Sequence, residues 1–306
     1  MPEVSVLRPV ALDDIDTLRT VAALAEQSTG HPVLGDSVWR DLDAPSAVTA
    51  LVVARDGPNV VGVLHVGPSA SPAAPGVRFS VAVAPGSSVS EIGRALVEAA
   101  LADARVRDGG PIELLVFGAD EAWETVAADV GLRPARALLQ LRVALPAAPP
   151  RWPPAVRVRP FEPGIDEDEW LVVNNRAFAD DPDQGGWDRE TLLRRERESW
   201  FDPVGFLLAF DERGLAGFCW TRLHPSAPPL VVETVGEIYV IGVDPDRQGT
   251  GLGRALVLGG LEDLHDRRGA TTGMLFVDAG NESAISLYTS IGFSRARVDR
   301  AYTCDR

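Results

Sequence analysis

The residues able to do chemistry lie mostly in the second half of the chain. There a β-branched strand, Val235–Val243, runs into Asp244-Pro245 and then Gln248-Gly-Thr-Gly-Leu-Gly-Arg254, ahead of a helix reaching about Arg267. A loop of this kind leaves backbone N–H groups unpaired and aimed at one point beside a positive helix N-terminus, which suits a pyrophosphate. Glycine at 249, 251 and 253 removes Cβ atoms that would hold an anion away. Arg247 and Arg254 add positive charge. The spacing is Gly-x-Gly-x-Gly, unlike the dinucleotide fingerprint, and taken alone it also fits a ligand-free turn. Downstream, Asp278-Ala-Gly-Asn281 follows another strand. Ser283-Ala-Ile-Ser-Leu-Tyr288 then lies on a helix, and Ser290-Ile-Gly-Phe293 closes it. Glu237 stands at the start of the loop's strand, where period two places its side chain on one face with Tyr239, Ile241 and Val243.

Composition narrows the chemistry. The 306 residues suffice for two buried cores of about 150 residues each. With 29 basic against 44 acidic residues the formal charge is −15, so nucleic acid and anionic membrane surfaces are not expected as partners. All the basic residues are Arg; without a lysine there is no Walker-type phosphate loop, no protein-kinase site and no Schiff-base chemistry. Cys219 and Cys304 give neither a four-thiolate zinc site nor a disulfide framework, and His31, His65, His224 and His265 lack metal-ligand spacing, so no metal is expected. Cys219 with His224 five residues on is a poor thiol–base pair, because a strand end separates them; a small core residue is the simpler reading. No signal peptide or membrane-spanning run is visible, and a cytoplasmic protein is expected.

The elements that must position these residues occur twice. Five prolines between Leu145 and Ala155 mark an extended linker, so the expected division is a first domain over 1–145, a linker over 146–155 and a second domain over 156–306. Each half opens with a short strand ending in Arg-Pro (Val4–Pro9, Val156–Pro160), followed by a helix with acidic residues near its start. Each then carries a hairpin: Leu51–Ala54 with Val60–Val66, and Phe206–Phe210 with Leu215–Leu223. Val81-Ala-Val-Ala-Pro85 matches Ile241-Gly-Val-Asp-Pro245, and Ile92-Gly-Arg-Ala-Leu-Val97 matches Leu252-Gly-Arg-Ala-Leu-Val257 at an offset of 160. A further strand follows in each half, Ile112–Val116 and Gly273–Val277. The expectation is an α/β (α+β) fold written twice in tandem.

Taken together, the Gln-x-x-Gly-x-Gly loop at 248–253 and the Asn-x-x-Ala-x-x-Leu-Tyr-x-x-x-Gly-Phe spacing at 281–293 closely resemble the GCN5-related N-acetyltransferase (GNAT) family. The resemblance implies two GNAT domains, each a mixed, mostly antiparallel sheet flanked by helices, with acetyl-CoA as co-substrate. Its pyrophosphate would sit on Gln248, Gly249, Thr250, Gly251, Leu252, Gly253 and Arg254. Its pantetheine arm would add like a strand beside Ile241, Gly242 and Val243. Asn281, Glu282, Ser283, Ala284, Ile285 and Ser286 would complete the site. The implied reaction is direct attack of an amine on the thioester, with Glu237 as the base (directly or through water) and Tyr288 as the acid for the CoA sulfur. A packing role for Tyr288 and a solvated strand end for Glu237 are the bland counterparts.

Asn174-Asn-Arg-Ala-Phe178, Asp181-Pro-Asp-Gln-Gly-Gly-Trp187, Ser199-Trp-Phe-Asp-Pro203, Gly217-Phe-Cys-Trp-Thr-Arg222, His224-Pro225 and Gly236-Glu-Ile-Tyr-Val240 carry the resemblance further, to the tandem-domain mycothiol synthase family. It spans essentially the whole chain, densely in the second half. It implies acetylation of the cysteinyl amine of cysteinyl-glucosaminyl-inositol, with substrate contacts at Asp36, Asp183, Arg222, Glu237 and Phe276, in a monomer. Departures are Arg222 for an expected lysine, Asp183 for a longer glutamate and Phe276 for a tyrosine. A second acetyl-CoA of the kind the family's first domain can hold would use Val81, Ala82, Val83, Val89, Ser90, Glu91, Ile92, Gly93 and Arg94. By the repeat, however, Gln248, Gly249 and Gly251 become Ser88, Val89 and Glu91, Glu237 becomes Val77 and Tyr288 becomes Ala127. A carboxylate in the loop opposes a diphosphate, so the first domain is expected to be non-catalytic, forming a wall of the substrate cleft. An acetyltransferase for an aminoglycoside or a peptide N-terminus, and a non-catalytic acyl-CoA sensor, are the alternatives.

Overall fold

The computed structural model describes residues 2–69, 76–107, 110–179, 184–224 and 234–304. They form two compact units. The first comprises Met1–Leu139, Asp278–Gly280 and Arg297–Arg306; the second comprises Gln140–Val277 and Asn281–Ala296. The division is discontinuous in sequence: the last residues of the chain are built into the first unit.

In the first unit β1 (Glu3–Leu7), α1 (Leu12–Thr29) and α2 (Asp36–Asp43) precede a hairpin of β2 (Ala50–Asp56) and β3 (Asn59–Pro68). Next come β4 (Val77–Val83), α3 (Arg94–Arg107), β5 (Ile112–Val116), α4 (Glu121–Asp129) and β6 (Arg133–Ala144). Gly57, at φ +56°, makes the hairpin turn, a backbone state that costs a Cβ-bearing residue about 1–2 kcal/mol. The second unit repeats the order with β7 (Arg157–Pro160), α5 (Glu167–Ala177), α6 (Arg189–Glu196), β8 (Phe206–Asp211), β9 (Gly214–Leu223), β10 (Val235–Val243), α7 (Leu252–Glu262), β11 (Thr272–Asp278) and α8 (Glu282–Ile291). The final strand is β12 (Ser294–Cys304).

Within the first unit the strand order is β1-β2-β3-β4-β5-β12, with Arg300–Cys304 of β12 antiparallel to β5. Within the second it is β6-β11-β10-β9-β8-β7, with residues 140–144 of β6 at the β11 edge. The described strand pairings are antiparallel except β4 with β5 and β10 with β11, which are parallel and joined through α3 and α7. Strands covered on both faces read as continuous apolar runs, and Ala50–Ala54 is buried throughout. The core of the second unit is aromatic: Trp170 of α5 meets Phe206, Phe218 and Trp220 edge-on, and Phe206 stacks on Trp220 at 4.4 Å. Arg159 ties β7 to the start of α5 by donating to both oxygens of Asp166, each at 2.6 Å.

Both parallel pairs stop short. β10 follows β11 only from Val235 to Ile238, and β4 follows β5 only from Val77 to Ser80. Beyond these points each sheet is split open along one strand edge, Tyr239–Val243 in the second unit and Val81–Val83 in the first.

Candidate active site

The opened edge of β10 is shaped by a bulge. Glu237 faces Arg222 and Ile238 faces Thr221 across to β9, but Val240, not Tyr239, faces Trp220, and Ile241 faces Cys219. One residue is therefore extra, and side chains beyond it swap faces. This corrects the period-two expectation: Glu237 and Tyr239 lie on the side of Arg222 and Trp220, whereas Ile241 and Val243 point to the other side. Tyr239 shows this directly, with its ring edge-on to Trp220 at 5.4 Å and to Trp200 at 4.9 Å. The bulge lets one strand present a carboxylate to one face while Ile241, Gly242 and Val243 keep a free backbone edge.

At the C-terminal end of β10 the chain passes through a short turn (Pro245–Arg247) into the glycine loop. Gly249 and Gly251 have φ of +76° and +84°, and Gly251 is the residue ahead of α7. Open space surrounds the position of a Cβ at either, so their left-handed backbone alone selects glycine. Gly253 differs: its backbone is helical and a Cβ there would make ordinary contacts with Val243 and Leu287. The first backbone bond of the helix is Ala255 N–H to the Gly251 carbonyl. Among the described residues, no acceptor is recorded for the N–H groups of residues 249 to 254. Six donors in succession at a helix start, exposed or half-buried, with Leu252 alone buried, form an anion cradle. The Thr250 hydroxyl braces the loop by donating to the Arg247 carbonyl at 2.8 Å. Arg247 itself is consumed by Asp244 at 3.0 Å and Asp211 at 3.3 Å, so it shapes the turn and leaves the cradle's charge to Arg254. Among the described residues Arg254 donates to the hydroxyl and carbonyl of Ser290, at 2.7 and 3.2 Å, and meets no carboxylate, so its charge faces the loop.

Glu237 is 3% exposed, yet its carboxylate is well served: Oε2 accepts from Arg222 Nε and pairs with His224 Nε2, both at 2.6 Å. Oε1 has no recorded partner among the described residues. The Arg222 guanidinium lies over the rings of Tyr239 (4.9 Å) and Trp200 (5.4 Å), which fix its plane. His224 is a neighbour of Glu237 to which the sequence assigned no site role: it stood as part of the family resemblance and as a poor base for Cys219. Its signal was parity: His224, one residue past the end of β9, is two residues on from Arg222, the cross-strand partner of Glu237. Cys219 is fully buried, and burial pushes its thiol well up, so it stays a protonated core side chain.

Tyr288 lies on α8, 7% exposed, its ring 5.8 Å from Phe293. Burial, with a smaller effect from the Cys219 thiol, pushes its phenol well above the ordinary value, so the proton is retained at neutral pH. Asn281 caps α8, its Oδ1 accepting from Ala284 N–H at 3.0 Å. Glu282, Ser283 and Ser286 are exposed and Ala284 and Ile285 half-buried along the first turns of α8. Phe276 lies on β11 immediately past its last pairing with β10. Asp183 lies outside the described residues. The segment following it is anchored: Asn174 Nδ2 donates to the Gln184 carbonyl at 2.9 Å, and Asn175 exchanges two bonds with the backbone of Trp187. Asp36 opens α2 of the first unit and is exposed. Among the described residues no group of three or more His, Cys, Asp and Glu is placed to hold a metal ion, and no helix is long and apolar enough to cross a membrane.

Comparison with known proteins places this geometry. Residues 171–293 match the acetyltransferase (GNAT) family model. The chain is 41% identical over 295 residues to the mycothiol acetyltransferase of Thermomonospora curvata, covering 92% of each. It is 40% identical over 293 residues to that of Thermobispora bispora, covering 94% of this chain and 95% of the relative. The chain belongs to the mycothiol acetyltransferase family. Solved structures agree on the fold. A GCN5-related N-acetyltransferase from Sphaerobacter thermophilus superposes with a TM-score of 0.73 at 22% identity, covering 98% of this chain and 95% of that one. A tandem GNAT protein from the clavulanic acid biosynthesis pathway gives 0.68 at 21% identity, covering 99% and 98%.

As a member of the mycothiol acetyltransferase family the chain is an acyltransferase, and its two units differ in how their loops are wired. In the first, Ser88 ahead of the turn Val89–Gly93 accepts the Glu91 N–H on its hydroxyl and the Ile92 N–H on its carbonyl. Arg94, the repeat of Arg254, is ion-paired to Asp129, the repeat of Ser290. Two donors and one charge that are open in the second unit are therefore already occupied in the first. Val89, Ser90, Ile92 and Gly93 complete that turn, and Val81, Ala82 and Val83 form the open edge of β4.

Proposed function

We propose that the second unit transfers the acetyl group of acetyl-CoA to the cysteinyl amine of cysteinyl-glucosaminyl-inositol, giving mycothiol. The observation that carries this reading is the run of unpaired N–H groups at 249–254, set at the end of an opened strand that also bears a buried carboxylate. The cradle fits a diphosphate in size and sign, and the free edge at Tyr239–Val243 fits an extended amide-bearing arm. Bound there, acetyl-CoA supplies an activated thioester carbonyl. Glu237 takes the proton that the substrate ammonium must lose, directly or through one water, through Oε1, which no described residue engages. Arg222 and His224 hold Oε2 in place. A backbone N–H of the opened strand donates to the carbonyl oxygen that gains charge as the amine adds. Tyr288, held protonated by its burial, gives its proton to the departing sulfur. Two protons leave the substrate nitrogen: Glu237 takes one before attack, and the second is lost as the adduct collapses and replaces, by way of solvent, the proton that Tyr288 gives to sulfur.

Arg222 supports a polyhydroxylated, amine-bearing substrate, since its terminal nitrogens can donate to sugar or inositol hydroxyls. Asp183 and Phe276 are proposed as further contacts. The first unit is proposed to be non-catalytic: it has Val77 and Ala127 where the second has Glu237 and Tyr288, and its loop donors are internally occupied. The deciding experiment is an acetyl-CoA-dependent assay of cysteinyl-glucosaminyl-inositol against a panel of amines. Turnover is expected with that thiol-amine. Turnover only with another amine, or acetyl-CoA binding with no turnover at all, would overturn the assignment.

A further inference from the structure

The repeat reveals a place where the first unit has kept something the second has not. Gly62 and Gly217 face the last residues of β4 and β10, Val83 and Val243. Counting on three residues places His65 opposite Ser80 in the first unit and Trp220 opposite Val240 in the second. The second unit fills that space with its aromatic cluster. The first leaves a cavity of about 350 Å³, lined by polar side chains from α2, β3 and β4.

Its wall contains a buried pair that the proposed chemistry does not use. His65 Nε2 lies 2.8 Å from Asp41 Oδ2, with side chains only 5% and 8% exposed, and the Thr49 hydroxyl donates to the same oxygen at 2.9 Å. Around it hydrogen-bond donors predominate. Arg78 is bound to Glu113 through Nε at 2.5 Å, leaving its two terminal nitrogens without recorded acceptors. Arg40 has no recorded partner among the described residues, and Ser37 and Ser80 add hydroxyls. Among the described residues of the wall the one carboxylate, Asp41, is already engaged. None of these donors is a buried atom lacking a partner, so they stay open to solvent and to an entering acceptor, and planar guanidinium groups match carboxylate or phosphate oxygens best.

We infer that this cavity of the first unit is a binding site for a small oxyanion, a carboxylate or phosphate group. Its volume is at the lower end for small-molecule pockets, which limits the ligand to a few heavy atoms beyond the anionic group.

The test is calorimetric titration of the full chain with inorganic phosphate and, separately, with succinate. The variants are R40Q, at an exposed residue, and S80V, which installs the second unit's residue. At least one probe should bind wild type below about 1 mM, with R40Q weakening it about tenfold or more and S80V abolishing it. Acetyl-CoA affinity should stay unchanged in both variants. Which probe binds decides between phosphate and carboxylate. No binding of either probe up to about 10 mM overturns the inference, as does equal binding to wild type and R40Q. R40Q decides alone if S80V fails to fold.

Discussion

A single oxygen of Glu237 receives both neighbouring donors, and the division of labour follows from that. Arg222 and His224 hold one side of the carboxylate, and the other, which no described residue engages, is the side proposed for the substrate. Replacing Glu237 by alanine is expected to lower kcat/KM by about 10²–10⁴-fold, with the largest loss at low pH, where the amine most needs a base. A pH–rate profile parallel to wild type would remove Glu237 from that role. Tyr288 makes a complementary case. Because burial raises its phenol, it stays a donor across the physiological range. Y288F should reduce kcat by at least about tenfold with KM for acetyl-CoA nearly unchanged, read in steady-state kinetics. An equal rise in KM would instead mark Tyr288 as a packing residue. Glu237 and Tyr288 could be read from the chain as residue types at telling positions. That His224 belongs with Glu237 could be settled only by the strand register.

Elements determine which groups are free. α7 begins at a glycine with positive φ and no side-chain cap, which leaves its first N–H groups open; the equivalent turn of the first unit is capped by Ser88 and is closed. G251E, which copies the first unit's residue, combines a left-handed backbone penalty with a carboxylate in the cradle. It should abolish acetyl-CoA binding by calorimetry; retained affinity would contradict the placement of the diphosphate. A second consequence concerns α6. Its last residue, Glu196, is pushed up from 4.5 to about 7 by burial, with the Glu167 carboxylate adding to it. The folded form therefore holds this proton more tightly than the unfolded chain, so stability falls as pH rises from about 4.5 through 7. E196Q should raise the melting temperature at pH 8 and leave it unchanged at pH 4.5. Because Glu196 is partly exposed, the gain is put at about 1 kcal/mol rather than the full shift. A pH-independent effect would show that charge is not the cause.

For the chain as a whole, the main departure from a simple tandem reading is where its end goes. Arg300–Cys304 completes the first unit's sheet beside β5, and Tyr302 is fully buried in that core, nearly 300 residues from its start. Truncation after Ala296 should therefore destabilise the first unit, seen as lost hydrogen-exchange protection in β4 and β5; unchanged protection there would refute it. The duplicated elements and the glycine loop were determined by residue type and short-range spacing, because turn chemistry and strand periodicity act over a few residues, and the acid and base candidates followed from the family resemblance those motifs carry. The bulge that sends Glu237 and Ile241 to opposite faces, the pairing of His224 with Glu237, the neutralisation of Arg247 and the destination of the last strand were decided only by tertiary structure. Each depends on which strand lies beside which, and pairing between segments tens to hundreds of residues apart is set by burial across the whole core.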